Sequence, residues 1–125
     1  MSAGERRSPS IERVTNEAPF DPLRDLLDVL DLTEKPMTRG TDGTPRDTFS
    51  GRSQPTPQGR VFGGQVVAQC LIAAGRSVTA TRAEAMHPHS LHATFLQAGD
   101  TDLPITFVVE RLRDSRSFSA RRVHA

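Results

Sequence analysis

The chain has 125 residues, a formal net charge of +1 at pH 7 and one cysteine. Its length suits a single domain or a piece of a larger protein, and its balanced charge excludes a global attraction to nucleic acid or to an anionic membrane. One cysteine excludes an internal disulfide framework, no apolar run approaches the roughly 18 residues of a membrane span, and the absence of an export signal predicts a soluble, cytoplasmic protein.

The N-terminal region predicts a tail and then a short helix. Residues 1–19 are rich in Ser, Pro, Arg and Glu without a sustained apolar period, which predicts a disordered tail. In the next segment Asp21 can cap a helix and Pro22 suits its first position. Leucines follow at helical spacing, at Leu23, Leu26, Leu27 and Leu30. We expect these leucines to dock on the rest of the domain, with binding of a partner as the alternative.

The region after this helix has the composition of a loop. Residues 33–60 are dominated by Gly, Pro, Thr, Asp and Arg. This composition predicts a long connection that contains at most one short edge strand, near Asp47–Arg52.

A second helix is predicted over residues 63–78, after Gly63 and Gly64. Its apolar side chains cover almost the whole circumference, which is typical of a buried helix. Its polar side chains form one narrow stripe of Gln65, Gln69 and Arg76. The stripe faces either solvent or a subunit seam, or else it borders a ligand slot. The two glycines have two interpretations. They form a tight turn before the helix, or they leave backbone N–H groups free to stabilise a developing oxyanion.

The last third of the chain predicts an antiparallel meander. His89–Gln97 alternates between apolar and polar residues, which favours a strand. A second strand is predicted over Ile105–Leu112 and a third from Ser117 or Phe118. The order of helix and meander indicates the α+β class. Because the chain ends without a turn or cap signal, we expect a last strand that is cut in its middle, in a truncated gene product or a fragment.

Few side chains suggest metal or nucleophile chemistry. His87, His89 and His92 lie close in sequence, but His89 and His92 are three residues apart and point to opposite strand faces. Neither a carboxylate nor a cysteine lies near enough to complete a ligand set, so no metal site is predicted. Cys70 lies inside the apolar helix, where a buried and unreactive thiol is the simpler interpretation.

One concentration of positive charge is present near the C-terminus. It consists of Arg111, Arg113, Arg116, Arg121 and Arg122. A solvated strand edge is the simpler interpretation, and recognition of phosphate groups is the alternative. No aromatic stacking platform accompanies these arginines, which argues against binding of single-stranded nucleic acid.

Three sequence blocks are distinctive as an ordered set. They are Arg60–Gln69 (RVFGGQVVAQ), His89–Asp100 (HSLHATFLQAGD) and Glu110–Val123 (ERLRDSRSFSARRV). Together they resemble the N-terminal half of the acyl-CoA thioesterase II family. The resemblance covers residues 20–125, which it identifies as an N-terminal thioesterase domain that is incomplete at its C-terminus.

The resemblance implies a fold and an activity. The fold is a hotdog fold, in which a long helix is wrapped by a curved antiparallel sheet, here as a truncated single unit of a double hotdog. The activity is hydrolysis of fatty acyl-CoA to free fatty acid and CoA, in fatty acid metabolism and without a cofactor. Family members polarise water with an Asp, a Ser or Thr, and a Gln of the second unit, so no catalytic residue is assigned in this chain.

Some site residues of the first unit can be assigned through the resemblance. Gly63, Gly64 and Gln65 map to the start of the unit's helix, where we expect substrate binding. His89 occupies the histidine position of the family's His-Ser strand motif, where a supporting role is expected.

The resemblance also implies partners. They are the acyl-CoA substrate, a second hotdog unit and, in the intact protein, further copies of the chain. We expect residues 1–125 alone to have little or no activity. A non-catalytic module that binds acyl-CoA or assembles with other hotdog units is the alternative. A hotdog dehydratase is disfavoured because the Asp/His pair expected of that enzyme is missing from the sequence.

Overall fold

The computed structural model describes residues 18–125, so most of the predicted tail lies outside the described residues. In chain order the elements are α1 (Pro22–Leu30), β1 (Thr33–Arg39), β2 (Pro45–Gly51), α2 (Gly63–Thr79), β3 (Ile105–Asp114) and β4 (Ser119–His124). The strands form one antiparallel sheet in the order β1-β2-β3-β4. The predicted α+β class is confirmed, with the 17-residue α2 packed against the sheet as a hotdog fold requires.

Neither helix within residues 18–125 is long and apolar enough to cross a membrane.

Helix α1 begins as predicted but packs through a different face. The Asp21 carboxylate accepts hydrogen bonds from the backbone N–H groups of Leu23 and Arg24, at 3.1 and 3.3 Å. The expectation that the leucines dock on the domain is wrong for Leu23, Leu26 and Leu27, which are exposed; Leu30 is half-buried and Val29 is the buried residue of the helix. Asp25, four residues before Val29, binds Arg52 and Gln54, and these polar contacts select the inward face.

Residues 33–60 contain a β-hairpin rather than a long connection with one edge strand. The turn between β1 and β2 includes Gly43 at a φ of 77°, a conformation that glycine adopts without strain. Strand β2 is an inner strand, since it pairs with both β1 and β3. Strand β1 has no buried residue and contains Pro36, which an edge strand tolerates, close to a break in register between Lys35 and Thr38.

The core lies between α2 and one face of the sheet. Its buried residues are Leu32, Phe49, Ala73, Phe107 and Val109. Phe49 and Phe107 are directly opposite each other on β2 and β3, and Val109 is opposite Val123 on β4. These cross-strand pairs make one face of the sheet continuous and apolar.

The predicted strand at His89–Gln97 is wrong. Residues 85–96 contain neither a turn nor a bend, yet they belong to no sheet. The alternating pattern is present, but a strand also needs a hydrogen-bonded neighbour, and within residues 18–125 no strand lies beside this segment. The other two predicted strands are confirmed as β3 and β4.

Candidate functional site

The first part of the site is the start of α2. Phe62 precedes the helix without a side-chain cap. Within the described chain, the backbone N–H groups of Gly63 and Gly64 have no hydrogen-bond partner, whereas the N–H group of Gln65 donates to the Phe62 carbonyl at 3.0 Å. Free amides at the positive end of a helix dipole can bind a carbonyl oxygen or a phosphate.

Two distant segments meet at this helix end. The Val61 N–H donates to the Gly99 carbonyl and the Thr101 N–H donates to the Gly59 carbonyl, each at 3.0 Å. A side chain at Gly99 would bring its Cβ to 3.0 Å from a Val61 methyl group, so this close approach favours glycine. The pairing holds the end of the segment 85–96 beside the helix start.

The ring of Phe95 covers the first glycine of the helix. A Cβ atom built on Gly63 would lie 3.0 Å from the Phe95 ring. The sequence blocks Arg60–Gln69 and His89–Asp100, which are separated along the chain, therefore contact each other in the structure.

A cavity of about 1830 Å³ extends from Gly63 along α2. The helix residues that line it include Val66, Val67, Cys70, Leu71, Ala74 and Val78. The segment 84–100 forms a second wall, and residues 121–124 of β4 together with Ala125 form part of a third. The cavity is larger than the roughly 300–1,000 Å³ of ordinary small-molecule pockets. Gly63 and His89 both line it, whereas Gly64 and Gln65 do not.

Gln65 lies on the buried side of α2. Its side-chain oxygen accepts the Gln54 N–H at 2.9 Å, and its amide nitrogen donates to the Gln69 side-chain oxygen at 3.2 Å. Gln69 in turn donates to the carbonyl oxygens of Val29 and Arg52, at 3.0 and 2.9 Å. The Gln65 amide is thus occupied by protein groups, and its contact with substrate stays a prediction.

Both interpretations of the polar stripe of α2 are wrong for its buried members. Gln65 and Gln69 face neither solvent nor a ligand slot, because they hold α1 and the residues after β2 against α2. Arg76 also contacts the chain itself, donating to the Leu32 carbonyl and, at 2.8 Å, to the Asp31 carboxylate. The stripe is a set of intrachain contacts.

His89 and Cys70 both line the cavity but differ in their surroundings. His89 is exposed, and no residue within 18–125 hydrogen-bonds its imidazole. A general base needs an orienting partner, so the supporting role of His89 stays a prediction. Burial raises the pKa of the Cys70 thiol, which keeps it neutral and poorly nucleophilic. Among residues 18–125 no cluster of three or more His, Cys, Asp or Glu side chains could hold a metal ion.

Three of the five C-terminal arginines pair with carboxylates, and two of them, Arg111 and Arg121, do so through hydrogen bonds. Arg111 donates two hydrogen bonds to Asp47, at 2.7 and 2.9 Å. Arg121 donates to both oxygens of Asp114, at 2.9 and 3.1 Å, and to the Ser77 hydroxyl at 3.0 Å. These two arginines are therefore not free for phosphate recognition.

The remaining arginines lie on the surface. Arg122 is 3.5 Å from Glu110, and Arg113 and Arg116 are exposed. For these three residues the structure agrees with the simpler interpretation, a solvated strand edge.

Asp47 of β2 accepts hydrogen bonds from Ser77 of α2 and Arg111 of β3, and it is not among the residues that the sequence predicts. Burial opposes its ionisation, but hydrogen bonds from Arg111 and Ser77 and the positive charges of Arg111 and Arg121 bring the pKa of Asp47 below its ordinary value. Ser77 lies at a four-residue spacing from Ala73 and Gln69, so the helical period could have identified it. Asp47 was hidden by the loop-like composition of its segment.

Comparison with known proteins gives a consistent set of matches. The family model of the acyl-CoA thioesterase N-terminal domain matches residues 52–125. Human acyl-coenzyme A thioesterase 8 is 44% identical over 105 residues, which cover 84% of this chain and 30% of the relative. Acyl-CoA thioesterase 2 of Haemophilus influenzae is 48% identical over 77 residues, which cover 62% of this chain and 26% of the relative.

A solved structure is also similar. The tesB protein of Mycobacterium avium subs paratuberculosis has a TM-score of 0.63 and 38% sequence identity, over 81% of this chain and 36% of that protein. The chain spans between about a quarter and a third of the length of the curated relatives named above.

Proposed function

Because the chain belongs to the acyl-CoA thioesterase family, we propose that it forms the N-terminal hotdog unit of an enzyme that hydrolyses fatty acyl-CoA to free fatty acid and CoA. The observation that carries this proposal is the match of the family's N-terminal domain to residues 52–125. That range contains α2, the segment beside it and both C-terminal strands. The unit itself extends over residues 20–125.

The start of α2 is the proposed substrate-binding region. In the reaction, water attacks the thioester carbonyl and the CoA thiolate leaves, so negative charge develops on the carbonyl oxygen. The unpaired N–H groups of Gly63 and Gly64 suit that oxygen or a phosphate of CoA. Gln65 holds this helix end in place through Gln54 and Gln69. His89 supports the site from the facing wall.

The residues that activate water are proposed to lie on a second hotdog unit. They are the Asp, the Ser or Thr, and the Gln expected from the family. Residues 1–125 alone then have little or no activity. The whole enzyme acts in fatty acid metabolism in the cytoplasm and assembles from several copies, without a cofactor.

A chimera tests this function. Residues 20–125 replace the matching segment of Haemophilus influenzae acyl-CoA thioesterase 2, and hydrolysis of octanoyl-CoA is followed with a thiol reagent. We expect turnover by the chimera and none by residues 1–125 alone. Turnover by residues 1–125 alone would contradict the placement of the catalytic groups, and a folded chimera that neither binds nor hydrolyses octanoyl-CoA would contradict the function.

A non-catalytic module that binds acyl-CoA is the second candidate. The observation that favours it is the large cavity beside an imidazole that no described residue orients. Calorimetry with a thioether analogue of octanoyl-CoA distinguishes the candidates when it is applied to residues 1–125. Micromolar binding without turnover in the chimera would favour the module, and turnover in the chimera would exclude it as the sole function.

A further inference from the structure

Helix α1 presents an apolar face to solvent. Four leucines lie within about 100° of one another around the helix, at 100° per residue, and form what we call the leucine stripe: Leu23, Leu26, Leu27 and Leu30. Leu30 is half-buried, and the other three are 65%, 37% and 59% exposed in chain order. Phe20, just before the helix, is 73% exposed. Neighbouring apolar side chains that are exposed together in this way are typical of an interaction site.

Contacts on the opposite side of α1 hold the leucine stripe in this orientation. The Asp25 carboxylate accepts hydrogen bonds from Arg52 at 2.5 Å and from Gln54 at 2.9 Å. The Gln69 side chain donates to the Val29 carbonyl at 3.0 Å. The helix cannot rotate about its axis to bury its leucines without breaking these contacts. The leucine stripe therefore stays available to a partner.

The leucine stripe is a different surface from the cavity. Of the described residues that line the cavity, none belongs to α1. Helix α1 contacts the side of α2 that carries Gln65 and Gln69, whereas the cavity lies along the other side. An interaction through the leucine stripe thus leaves the proposed substrate-binding region open, and it does not depend on the proposed function.

The charges beside the leucine stripe indicate which partner it takes. Arg24 and Asp28 lie along one flank of the stripe, four residues apart, and both are exposed. Neither belongs to an ion pair among residues 18–125. When two such helices pack antiparallel about a two-fold axis at Leu26, this flank meets its own reverse. Arg24 of each copy then lies opposite Asp28 of the other, so the surface is complementary to itself.

We propose that the leucine stripe binds the leucine stripe of a second copy of this chain, with the two α1 helices antiparallel. Leu23 of one copy then lies between Leu27 and Leu30 of the other, and the Arg24–Asp28 ion pair forms twice. Because the same surface is used by both copies, the contact closes at a dimer. A contact between two helices of nine residues is small, so the dimer should be weak and should depend on concentration.

Sedimentation equilibrium of residues 1–125 over about 5–500 μM tests the surface. Leu27→Glu places a charge inside the leucine stripe, and Leu96→Glu makes the same change at an exposed leucine beside the cavity. We expect the parent to dimerise, Leu27→Glu to weaken the dimer by at least tenfold, and Leu96→Glu to leave it unchanged. A parent that stays monomeric throughout, or equal weakening by the two variants, would overturn the proposal.

Charge reversal tests the antiparallel arrangement. Arg24→Asp makes the flank wholly acidic and Asp28→Arg makes it wholly basic, so each variant alone should dimerise about tenfold more weakly than the parent. A mixture of equal amounts should associate at least as tightly as the parent, because each charge then meets its opposite. Self-association of either variant as tight as the parent's, or a mixture no tighter than its components, would overturn the proposal.

The two substitutions should leave α1 folded. Arg24→Asp adds an acidic side chain near the start of the helix and Asp28→Arg adds a basic one near its end, and both changes favour the helix dipole. Circular dichroism of each variant checks this. The double variant should dimerise as the parent does, since it restores both ion pairs in exchanged positions. A folded double variant that dimerises as weakly as the single variants would contradict pairing between Arg24 and Asp28.

Discussion

The two sides of α2 differ in how they are covered. The inner side carries Gln65, Gln69, Ala73 and Ser77 at four-residue spacing, and all four are buried. The cavity side is more apolar, yet Leu71 on it is 37% exposed. The helix is therefore oriented by specific polar contacts with α1, β2 and β4, and not by burial of its most apolar face. This difference predicts that substitutions on the inner side cost far more stability than matched substitutions around the cavity.

The largest difference is expected between two phenylalanines. Phe107 is fully buried beneath α2, whereas Phe95 is 61% exposed at the cavity. Phe107→Ala should lower the free energy of unfolding by about 4 kcal/mol, from lost burial and the space left behind, and Phe95→Ala by less than about 1 kcal/mol. Urea unfolding followed by circular dichroism measures both values. Similar costs for the two variants would contradict the assignment of inner and open sides.

The next largest effect is expected at Gln69. Gln69→Leu keeps the side-chain volume but leaves the Val29 and Arg52 carbonyls and the Gln65 amide without their donor or acceptor. The free energy of unfolding should fall by about 3 kcal/mol, since each buried unpaired group costs roughly 1–3 kcal/mol. Gln58→Leu makes the same chemical change at an exposed position and should change the free energy of unfolding by less than about 0.5 kcal/mol. An unfolding midpoint in Gln69→Leu equal to that of the control would rule out the proposed polar contacts.

A smaller effect that depends on pH is expected at Asp47. Its pKa is lower in the folded chain, so its contribution to stability is complete above the unfolded value of about 3.9 and is lost as pH falls through the lower folded value. Asp47→Asn should therefore cost about 2 kcal/mol at pH 6, where hydrogen bonds to a charged group are lost, and clearly less at pH 2.

Unfolding of the Asp47→Asn variant and its parent in urea at the two pH values measures this change. Asp28→Asn removes an exposed carboxylate of α1 and serves as the control. A cost for Asp47→Asn that is the same at pH 6 and pH 2 would contradict the ionised contact with Arg111.

The smallest effect compares two glycines of α2. A Cβ on Gly75 would meet nothing within 4 Å, whereas one on Gly63 would meet the Phe95 ring at 3.0 Å. Gly75→Ala should raise the free energy of unfolding by about 0.5–1 kcal/mol through helix propensity, and Gly63→Ala should gain less because the ring must move. Thermal unfolding ranks the two variants. A larger gain for Gly63→Ala would show that Phe95 does not rest on the helix start.

The sequence predicts what depends on local pattern. The Asp21 cap, the span of α2 and the strands β3 and β4 follow from capping chemistry and periodicity, and the structure confirms them. The leucines of α1 show the limit of this approach. Periodicity places them on one face, but contacts of Asp25 with residues 27 and 29 positions away decide which face turns inward.

Long-range pairing explains the other errors. The β1–β2 hairpin was missed because β1 is exposed along its whole length and therefore has no apolar alternation to detect. The segment 89–97 has that alternation but no neighbouring strand among the described residues. Of the predicted site residues, Gly63 and His89 share a cavity and Gln65 lies on the other side of the helix, a separation fixed by its tertiary contacts.

The two outermost strands of the sheet also differ in whether the sheet can grow past them. Pro36 lacks a backbone N–H, and the irregular register beside Lys35 interrupts the row of groups that a new neighbour would use, so growth beyond β1 is blocked. Two copies that joined through β4 would expose only β1 at each end. Such association stops at a pair and does not extend into a fibre.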